Sequence, residues 1–324
     1  MTGVEAGSAG ARPVEARGLV KRYGDLVAVD GVDLEVETGD VYGYLGPNGA
    51  GKTTSLRMLL GLIRPSAGRA ELFGRDPIAL GRRALQGVAG FVEAPQFYPY
   101  LSGRKNLELL AAFDGGDARR LIDEVLATVE LSGRAGDKVG GYSHGMRQRL
   151  GIAAALLRRP RLLILDEPST GLDPAGMRDM KTLIRDLSGQ GITVLLSSHQ
   201  MADVEQLCNR VAIINRGRIL YQGDLASLTR SMGTWYRMRA SDLDAAHRTA
   251  CEFELADLAR EGDELRFSAD EDILERFMMT LGQRRIGVRA LIPEQATLEQ
   301  LFFQLTEAEP ESAPSPLPVA EEVG

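Results

Sequence analysis

The stretch VYGYLGPNGAGKTTSLRMLLGL, residues 41–62, decides the fold. It opens with a short apolar run, VYGYLG (41–46), which is typical of a buried parallel strand. GPNGAGKTT (46–54) then matches the pattern G-x-x-x-x-G-K-[ST], and a helical pattern covers 51–62. Since strand, glycine-rich loop and helix follow in this order, the sequence predicts an α/β domain built around a phosphate-binding loop.

The residue types of this loop suit the binding of a nucleoside triphosphate. Glycines let backbone N–H groups curl around phosphate oxygens, and the start of the helix adds its positive dipole end. Lys52 is predicted to reach the β- and γ-phosphates, and the Thr53 hydroxyl to ligate Mg²⁺. The candidate nucleotide-binding residues are Gly46, Pro47, Asn48, Gly49, Ala50, Gly51, Lys52, Thr53 and Thr54.

A second apolar run, RLLILDEP (161–168), supplies two carboxylates at the end of another predicted strand. Asp166 is expected to hold Mg²⁺ through water, and Glu167 to act as general base for an attacking water. An apolar strand ending in Asp-Glu also occurs by chance at sheet edges. Together with the phosphate-binding loop, it predicts the second half of a triphosphate-hydrolysing site.

The rest of the chain divides into segments that differ in their pattern of apolar and polar residues. Over 15–228, apolar strand patterns alternate with amphipathic helix patterns, which predicts a mainly parallel sheet. Over 229–306, a small α+β domain is expected, while 1–14 and the Pro- and Glu-rich 307–324 are expected to be disordered. The further predicted strands are 192–198, 210–215, 234–240, 263–269 and 285–291, and the further helices are 117–131, 145–157, 175–187, 242–261, 271–283 and 297–306.

Composition limits the classes of function. The net charge is −7, with 38 Lys and Arg against 45 Asp and Glu, and five of the acids lie in the last segment, so no nucleic-acid partner is expected. No apolar run of about 18 residues and no apolar leader segment are seen, and Cys208 and Cys251 form no disulfide or metal spacing. We therefore expect a cytoplasmic protein that reaches a membrane only through a partner.

Three motifs around the Asp-Glu strand identify the class. YSHGMRQRL (142–150) precedes the Asp-Glu strand, and STGLDP (169–174) and LLSSH (195–199) follow it. In this order they resemble the ABC-type ATPases, and the resemblance covers residues 17–228. It implies a P-loop NTPase cassette with a mainly parallel sheet and a helical subdomain, binding ATP and Mg²⁺.

The resemblance assigns roles to residues. YSHGMRQRL is similar to the signature LSGGQ-x-QRL, so Ser143, Gly145 and Met146 are implied to contact the ATP of a second subunit, although His144 and Met146 depart from the family's Gly and Gln. Asp173 resembles the loop that crosses between subunits, and His199 the histidine that orients water with Glu167. The catalytic candidates are thus Glu167, His199 and Lys52. Tyr23 resembles the aromatic that stacks on adenine, although a tyrosine before a turn is also a common packing residue.

The segment GFVEAPQFYPYLSGRKNL (90–107) resembles the family's Q-loop, with Glu93 at the glutamine's place. Glu93 still offers an oxygen to Mg²⁺, so the metal candidates are Thr53, Asp166 and Glu93; the alternative is that Gln96 swings in. A Glu here is similar to the ATPases of peptide-antibiotic and lantibiotic exporters. In the family this loop faces the membrane partner, which makes Phe97, Tyr98 and Tyr100 candidates for a docking surface.

The resemblance implies an ATP-hydrolysing subunit that works as a head-to-tail homodimer, or with a paralogous cassette, beneath a separate integral membrane permease. TLEQLFFQLTEA (297–308) resembles the closing helix of ATPases that serve type-2 exporters of drugs and antibiotics. One alternative is an importer ATPase, which more often carries a longer β-rich domain. Another is a non-transport ABC ATPase acting on ribosomes or DNA, which usually has two cassettes or an inserted coiled coil.

Overall fold

The computed structural model describes residues 10–302, except 115, 232, 233, 254, 296, 297 and 300. The strands of this part are β1 Val14–Tyr23, β2 Leu26–Val36, β3 Val41–Leu45, β4 Ala67–Glu71, β5 Val88–Phe91, β6 Leu162–Asp166, β7 Thr193–Ser198, β8 Arg210–Asn215, β9 Arg218–Asp224, β10 Thr234–Ala240, β11 Ala256–Glu261, β12 Glu264–Ala269 and β13 Val288–Gln295. The α-helices are α1 Lys52–Leu59, α2 Pro77–Leu80, α3 Gly103–Asp114, α4 Ile122–Thr128, α5 His144–Leu156, α6 Pro174–Gly189, α7 Met201–Leu207, α8 Leu225–Ser231, α9 Leu243–Glu252 and α10 Glu271–Gln283.

A six-stranded sheet in the order β5-β6-β7-β3-β8-β9 forms the centre of the cassette. Its neighbours pair in parallel except β8 and β9, which are antiparallel. Every residue of β3, β6 and β7 is buried, as expected for parallel strands covered on both faces. The predicted α/β fold with a mainly parallel sheet is confirmed.

Alternate residues of the central strands enter two different cores. Leu162 and Ile164 of β6 pack into one core, together with the antiparallel sheet β2-β1-β4 and helix α1. Leu163 and Leu165 face the other core, which the helices α4, α5 and α6 complete. This two-sided burial, worth about 1.5–3 kcal/mol for each large apolar side chain, holds the loops at the strand ends in fixed positions.

The helix predicted over 117–131 is shorter than expected. A 3₁₀ segment covers Gly116–Leu121, and α4 covers only Ile122–Thr128. Helices α5 and α6 begin where the sequence places them, because Ser143 and Asp173 cap their first turns with side-chain oxygens. These two caps belong to motifs discussed below.

The C-terminal domain has the order βαββαβ, with an antiparallel sheet β11-β12-β10-β13. This is the split βαβ, ferredoxin-like arrangement, and its core packs Met238, Phe267 and Phe277 between the sheet and helices α9 and α10. The helix predicted over 242–261 is wrong in its second half, which forms strand β11. Because β11 is an edge strand whose residues are almost all exposed, it lacks the alternation that reveals a strand.

The expected domain limits 14/15 and 228/229 both fall inside secondary-structure elements. Residues 1–9 and the tail 307–324 lie outside the described residues, but Pro13 and Val14 are already buried, and Val14 begins β1. Helix α8 spans the second limit. Of the predicted helix 297–306, the described residues Leu298 and Leu301 are buried in the cassette core instead of the small domain.

Within the described residues, none of the helices has both the length and the apolar character needed to span a bilayer. The two cysteines are free thiols, Cys208 buried and Cys251 exposed.

Candidate nucleotide-binding and catalytic site

The glycine-rich loop follows the carboxyl end of β3, where ligands bind in α/β sheets. The Gly46 N–H donates to the carbonyl oxygen of Ser198 at 3.2 Å, which joins the loop to the end of β7. A Cβ on Gly46 would overlap the carbonyl oxygen of Ile214 and lie 2.9 Å from its Cγ2. Gly51 has φ +106°, and a Cβ there would lie 2.5 Å from the carbonyl oxygen of Ala28. Only glycine fits these two positions without a backbone shift.

Helix α1 starts directly after this loop, with Gly51 at its N-cap and no side chain capping it. The first-turn N–H groups of a helix have no acceptor within the helix, so those of Lys52, Thr53 and Thr54 point toward the loop. Pro47, Asn48 and Gly49 are exposed, whereas Ala50 is buried beneath them. The Tyr44 hydroxyl donates to Ser55 Oγ at 3.1 Å inside the core, which fixes the helix against β3.

The Lys52 ammonium is buried at the centre of this arrangement, with only 5% of the residue exposed. Its Nζ donates to the carbonyl oxygens of Gly46 and Pro47 at 2.7 and 3.1 Å, and it lies 3.2 Å from Glu167 Oε1. A cation therefore stands between the glycine-rich loop and the second carboxylate loop. Such a position suits the binding of an anion between the two loops.

Asp166 lies at the end of β6, buried and held on both carboxylate oxygens. Thr53 Oγ1 donates to its Oδ2 at 2.9 Å, and Ser197 Oγ donates to its Oδ1 at 2.5 Å. The paired oxygens of Thr53 and Asp166 fit a hard cation such as Mg²⁺, which prefers oxygen ligands and keeps several waters. The described residues contain no group of three or more His, Cys, Asp or Glu that could hold a metal by itself. A donor set this small suits a cation whose remaining ligands are waters or substrate phosphates.

Glu167 and His199 meet beside this pair. His199 Nδ1 lies 2.5 Å from Glu167 Oε2, and Thr170 Oγ1 donates to the same oxygen at 2.6 Å. Glu167 has φ +51°, a conformation that costs about 1–3 kcal/mol in a non-glycine residue and that the Ser197 hydroxyl helps hold by accepting its N–H. The strain turns the carboxylate into the site instead of letting it continue along the strand.

The electrostatics keep this carboxylate ionised. Burial alone raises the pKa of Glu167, but the hydrogen bond from Thr170, the charge of Lys52 and the hydrogen bond and charge of His199 together outweigh it. The pKa of Glu167 is therefore held below its ordinary value. At neutral pH the group is a charged acceptor, as a general base must be.

The Glu93 side chain is placed differently. It is mostly exposed, has φ +73°, and pairs with Arg57 on α1. The structure does not bring Glu93 to Thr53 or Asp166, and the Gln96 amide donates to the Ala94 carbonyl at 3.3 Å on the surface.

The signature segment lies beside the loop that follows β6, and the two line one groove. Ser143 is exposed and caps α5 by accepting the Met146 N–H at 3.2 Å. Asp173 accepts the Gly176 N–H at 2.9 Å. Ser143, Gly145, Met146 and Asp173 line one open groove of about 500 Å³. Tyr23 stands apart at the end of β1, 48% exposed, with Lys21 Nζ 5.1 Å from its ring centroid.

The structure thus gathers Lys52, Thr53, Asp166, Glu167 and His199 into one cluster. Sequence reasoning missed Ser197 and Thr170, whose hydroxyls orient the two carboxylates, and Arg57, the partner of Glu93. The hydroxyl-rich stretches SSH (197–199) and ST (169–170) carried a signal for the first two. Nothing in the spacing of the motifs indicated that Arg57 pairs with Glu93.

A glycine-rich loop opening a helix, beside a buried strand that ends in Asp-Glu, defines the class of P-loop nucleoside triphosphatases. The model of the ABC transporter family matches residues 29–170. The chain is 42% identical over 234 residues to the bacitracin transport ATP-binding protein BcrA of Bacillus licheniformis, covering 72% of this chain and 76% of that protein. The chain belongs to the ABC transporter ATP-binding proteins, and it binds and hydrolyses ATP.

Two further comparisons extend this result. The daunorubicin/doxorubicin resistance ATP-binding protein DrrA of Streptomyces peucetius is 36% identical over 311 residues, covering 91% of this chain and 92% of that protein. That match includes much of the small C-terminal domain. A solved structure of the ATP-binding subunit of an ABC transporter superposes with a TM-score of 0.61 at 28% identity, covering 68% of this chain and 92% of the other.

Proposed function

We propose that this chain is the ATP-hydrolysing subunit of an exporter, which acts as a head-to-tail dimer and drives a separate membrane permease. The observation that carries the hydrolytic part is the cluster of Lys52, Glu167 and His199 beside the glycine-rich loop. The cargo would be a drug, an antibiotic or another hydrophobic or peptide substrate.

Nucleotide binding rests on the loop of residues 46–54. Its backbone N–H groups and the start of α1 are suited to the phosphate oxygens, and the Lys52 ammonium to the β- and γ-phosphates. Lys52 would exchange its hydrogen bonds to Gly46 and Pro47 for phosphate oxygens. The exposed ring of Tyr23 offers a flat apolar face for stacking on adenine.

Thr53 and Asp166 would hold Mg²⁺, since their oxygens are already paired at the mouth of the loop. When bound, this cation neutralises charge on the phosphates and fixes their orientation. Glu93 could add an oxygen after leaving Arg57, and Arg57 balances the charge that Glu93 adds beside the triphosphate.

Hydrolysis would use Glu167 as the acceptor of a proton from water. Its lowered pKa keeps it ionised at neutral pH, and contacts with Thr170 and His199 orient its Oε2. His199 would in turn contact the γ-phosphate and hold the water in line. A positioned general base of this kind contributes about 10²–10⁴ in rate.

The proposed dimer is supported by the position of the signature. Ser143 is exposed at the N-terminus of α5, and it lines with Asp173 a groove whose lining does not include the chain's own Lys52. In a twofold arrangement each subunit would place Ser143, Gly145 and Met146 on the ATP of the other, so that ATP joins the two subunits. Asp173 lies where the two chains would cross.

Docking of the permease rests on an apolar groove of about 510 Å³ beside the Q-loop segment. Its lining includes Phe91, Pro95 and Phe97, and two large apolar side chains stand out at its edge, Leu62 at 63% and Phe113 at 84% exposure. A groove of this size fits the apolar face of a short helix. Occupied by the permease, it would hold the subunit on the cytoplasmic face of the membrane.

The direction of transport is supported by relatives. Two of the similar proteins are named for bacitracin transport and for daunorubicin/doxorubicin resistance, and the match to the second extends beyond the cassette over 91% of this chain. A third similar protein, of Burkholderia orbicola, is named as a Nod factor export ATP-binding protein and is 41% identical over 214 residues. An exporter is therefore the function that we propose.

The test is mass spectrometry of what co-purifies with the tagged full-length chain from gently solubilised membranes. The expected result is a polytopic membrane protein in near-stoichiometric amount. Recovery of ribosomal proteins or DNA-repair factors without such a membrane protein would overturn the transport proposal and leave the ATPase activity intact.

A further inference from the structure

His144 occupies the place of the first glycine in the signature and makes a contact that glycine cannot make. Its Nε2 lies 3.0 Å from the carbonyl oxygen of Thr170. The imidazole is half-buried and packs beside Gly171, where a Cβ would lie 3.5 Å from the ring. The signature segment is thus hydrogen-bonded to the loop that follows strand β6 of the same chain.

The direction of this hydrogen bond is fixed by chemistry. A carbonyl oxygen only accepts, so Nε2 must carry the proton and donate to Thr170. The buried terminal amide of Gln148, one helical turn further on, lies 3.4 Å from the same nitrogen. Its oxygen turned toward the ring would be a second acceptor, which favours the same tautomer.

Thr170 connects this contact to the proposed general base. While its carbonyl oxygen accepts from His144, its hydroxyl donates to Glu167 Oε2 at 2.6 Å. Two hydrogen bonds through one residue therefore link the signature segment to Glu167. The segment that would touch the partner's ATP is tied to the carboxylate that would act on the chain's own ATP.

We infer that His144 is a positioning residue that couples these two contacts, so that seating of the signature on the partner's ATP and orientation of Glu167 are set together. The inference rests on the proposed trans role of the signature and deepens it. A loop tied in this way would fix Glu167 most firmly when the signature is engaged. In this role His144 acts through Thr170, not on the water or the phosphate directly.

The experiment compares His144→Leu with His144→Gln in the purified full-length chain. Leucine removes the donor and keeps an apolar side chain of moderate size, whereas the glutamine amide can place an N–H near the position of Nε2. His144→Leu should lower the maximal hydrolysis rate about tenfold, the worth of one hydrogen bond, with the Kd for a fluorescent ATP analogue unchanged. His144→Gln should recover the rate to within about threefold of the native chain.

A double-mutant cycle with Thr170→Val tests the route. Valine removes the hydroxyl that reaches Glu167 and leaves the carbonyl oxygen in place. If His144 acts through Thr170, the leucine substitution should cost much less in the valine background than in the native one. Additive losses would overturn the route.

The outcomes separate this inference from the proposed function. Equal rates for the native, leucine and glutamine proteins would refute the role of His144, whether or not the dimer forms. Equally low rates for leucine and glutamine would assign the residue to folding of the segment, which also overturns the inference. Failure of the dimer is read separately, from the absence of an ATP-dependent mass increase in Glu167→Gln with His144 intact.

Discussion

His199 Nδ1 lies 2.5 Å from Glu167 Oε2, although the two residues are 32 positions apart in the sequence, with helix α6 between them. The reason is the register of the parallel sheet, in which Asp166 at the end of β6 stands opposite Ser197 near the end of β7. The residues just beyond this pair must emerge side by side. The register of the sheet therefore brings the acid–imidazole pair together, and a pair held in place by the fold reduces the reorganisation needed for catalysis.

Glu167→Gln should bind ATP and fail to hydrolyse it. The amide retains the size of the side chain but cannot accept a proton, so the hydrolysis rate should fall about a hundredfold or more. ATP that is not consumed should hold two chains together, and light scattering should show a doubling of mass on addition of ATP and Mg²⁺.

The matched control for this substitution is Glu261→Gln on the exposed edge strand β11 of the C-terminal domain. That protein should hydrolyse ATP at the native rate and should not accumulate as a dimer. A Glu167→Gln protein that stays monomeric with saturating ATP would contradict the dimer, and one that keeps the native rate would contradict the general base.

Thr170→Val should shift the acid limb of the pH–rate profile to higher pH. The hydrogen bond from Thr170 is one of the contacts that lower the pKa of Glu167. Without it the pKa rises, the carboxylate is protonated at a higher pH, and kcat/KM begins to fall earlier as the pH decreases. The measurement is kcat/KM for ATP between about pH 5 and 8.

Thr182→Val is the control for the loss of a threonine hydroxyl. Thr182 Oγ1 donates to the Arg178 carbonyl on the exposed face of α6, with no carboxylate involved. Its profile should coincide with that of the native protein. An unshifted profile for Thr170→Val would show that a group other than Glu167 governs the acid limb.

Gly46→Ala should destabilise the fold as well as weaken nucleotide binding. The new Cβ would overlap the carbonyl oxygen of Ile214, and backbone cannot yield cheaply there because β8 is buried. We expect a loss of about 1–3 kcal/mol in the free energy of unfolding, measured by urea denaturation. Gly136→Ala, where no atom lies within 4 Å of the added Cβ, should stay within about 0.5 kcal/mol of the native chain.

The parts of the fold that could be predicted are those with a strong local pattern. Strands β3, β6 and β7 are buried on both faces, so their sequences are continuous apolar runs. The sequence did not predict the antiparallel sheet β2-β1-β4 or helix α3. Their mixture of polar residues and exposed apolar residues obscures both the two-residue period of a strand and the 3.6-residue period of a helix. Strand β11 was mistaken for helix for the same reason.

The site divides in a similar way. Lys52, Asp166, Glu167 and His199 lie in motifs whose spacing reveals them, and the structure brings them together. The contacts from Ser197 to Asp166 and from Thr170 to Glu167 depend on the register between strands and on the strained backbone at Glu167, which a one-dimensional pattern does not contain. The pairing of Glu93 with Arg57 joins a loop to a helix in the same way.

Phe113→Glu should separate permease binding from ATP hydrolysis. Phe113 is 84% exposed at the edge of the apolar groove beside the Q-loop segment, and a large apolar side chain is favourable there only if a partner covers it. A carboxylate buried against an apolar helix, without a counter-charge, costs several kcal/mol, which is enough to abolish a moderate affinity. The permease should therefore no longer co-purify with the tagged chain from solubilised membranes.

Leu80→Glu is the matched control, since Leu80 is also a large exposed apolar residue, at 46%, but does not line the groove. It should leave co-purification unchanged. Both variants should keep the hydrolysis rate of the isolated chain, because neither residue contacts Lys52, Asp166 or Glu167. Retention of the permease by Phe113→Glu would show that the permease docks at another surface. Loss of hydrolysis in the isolated variant would show that the groove supports the catalytic loops themselves.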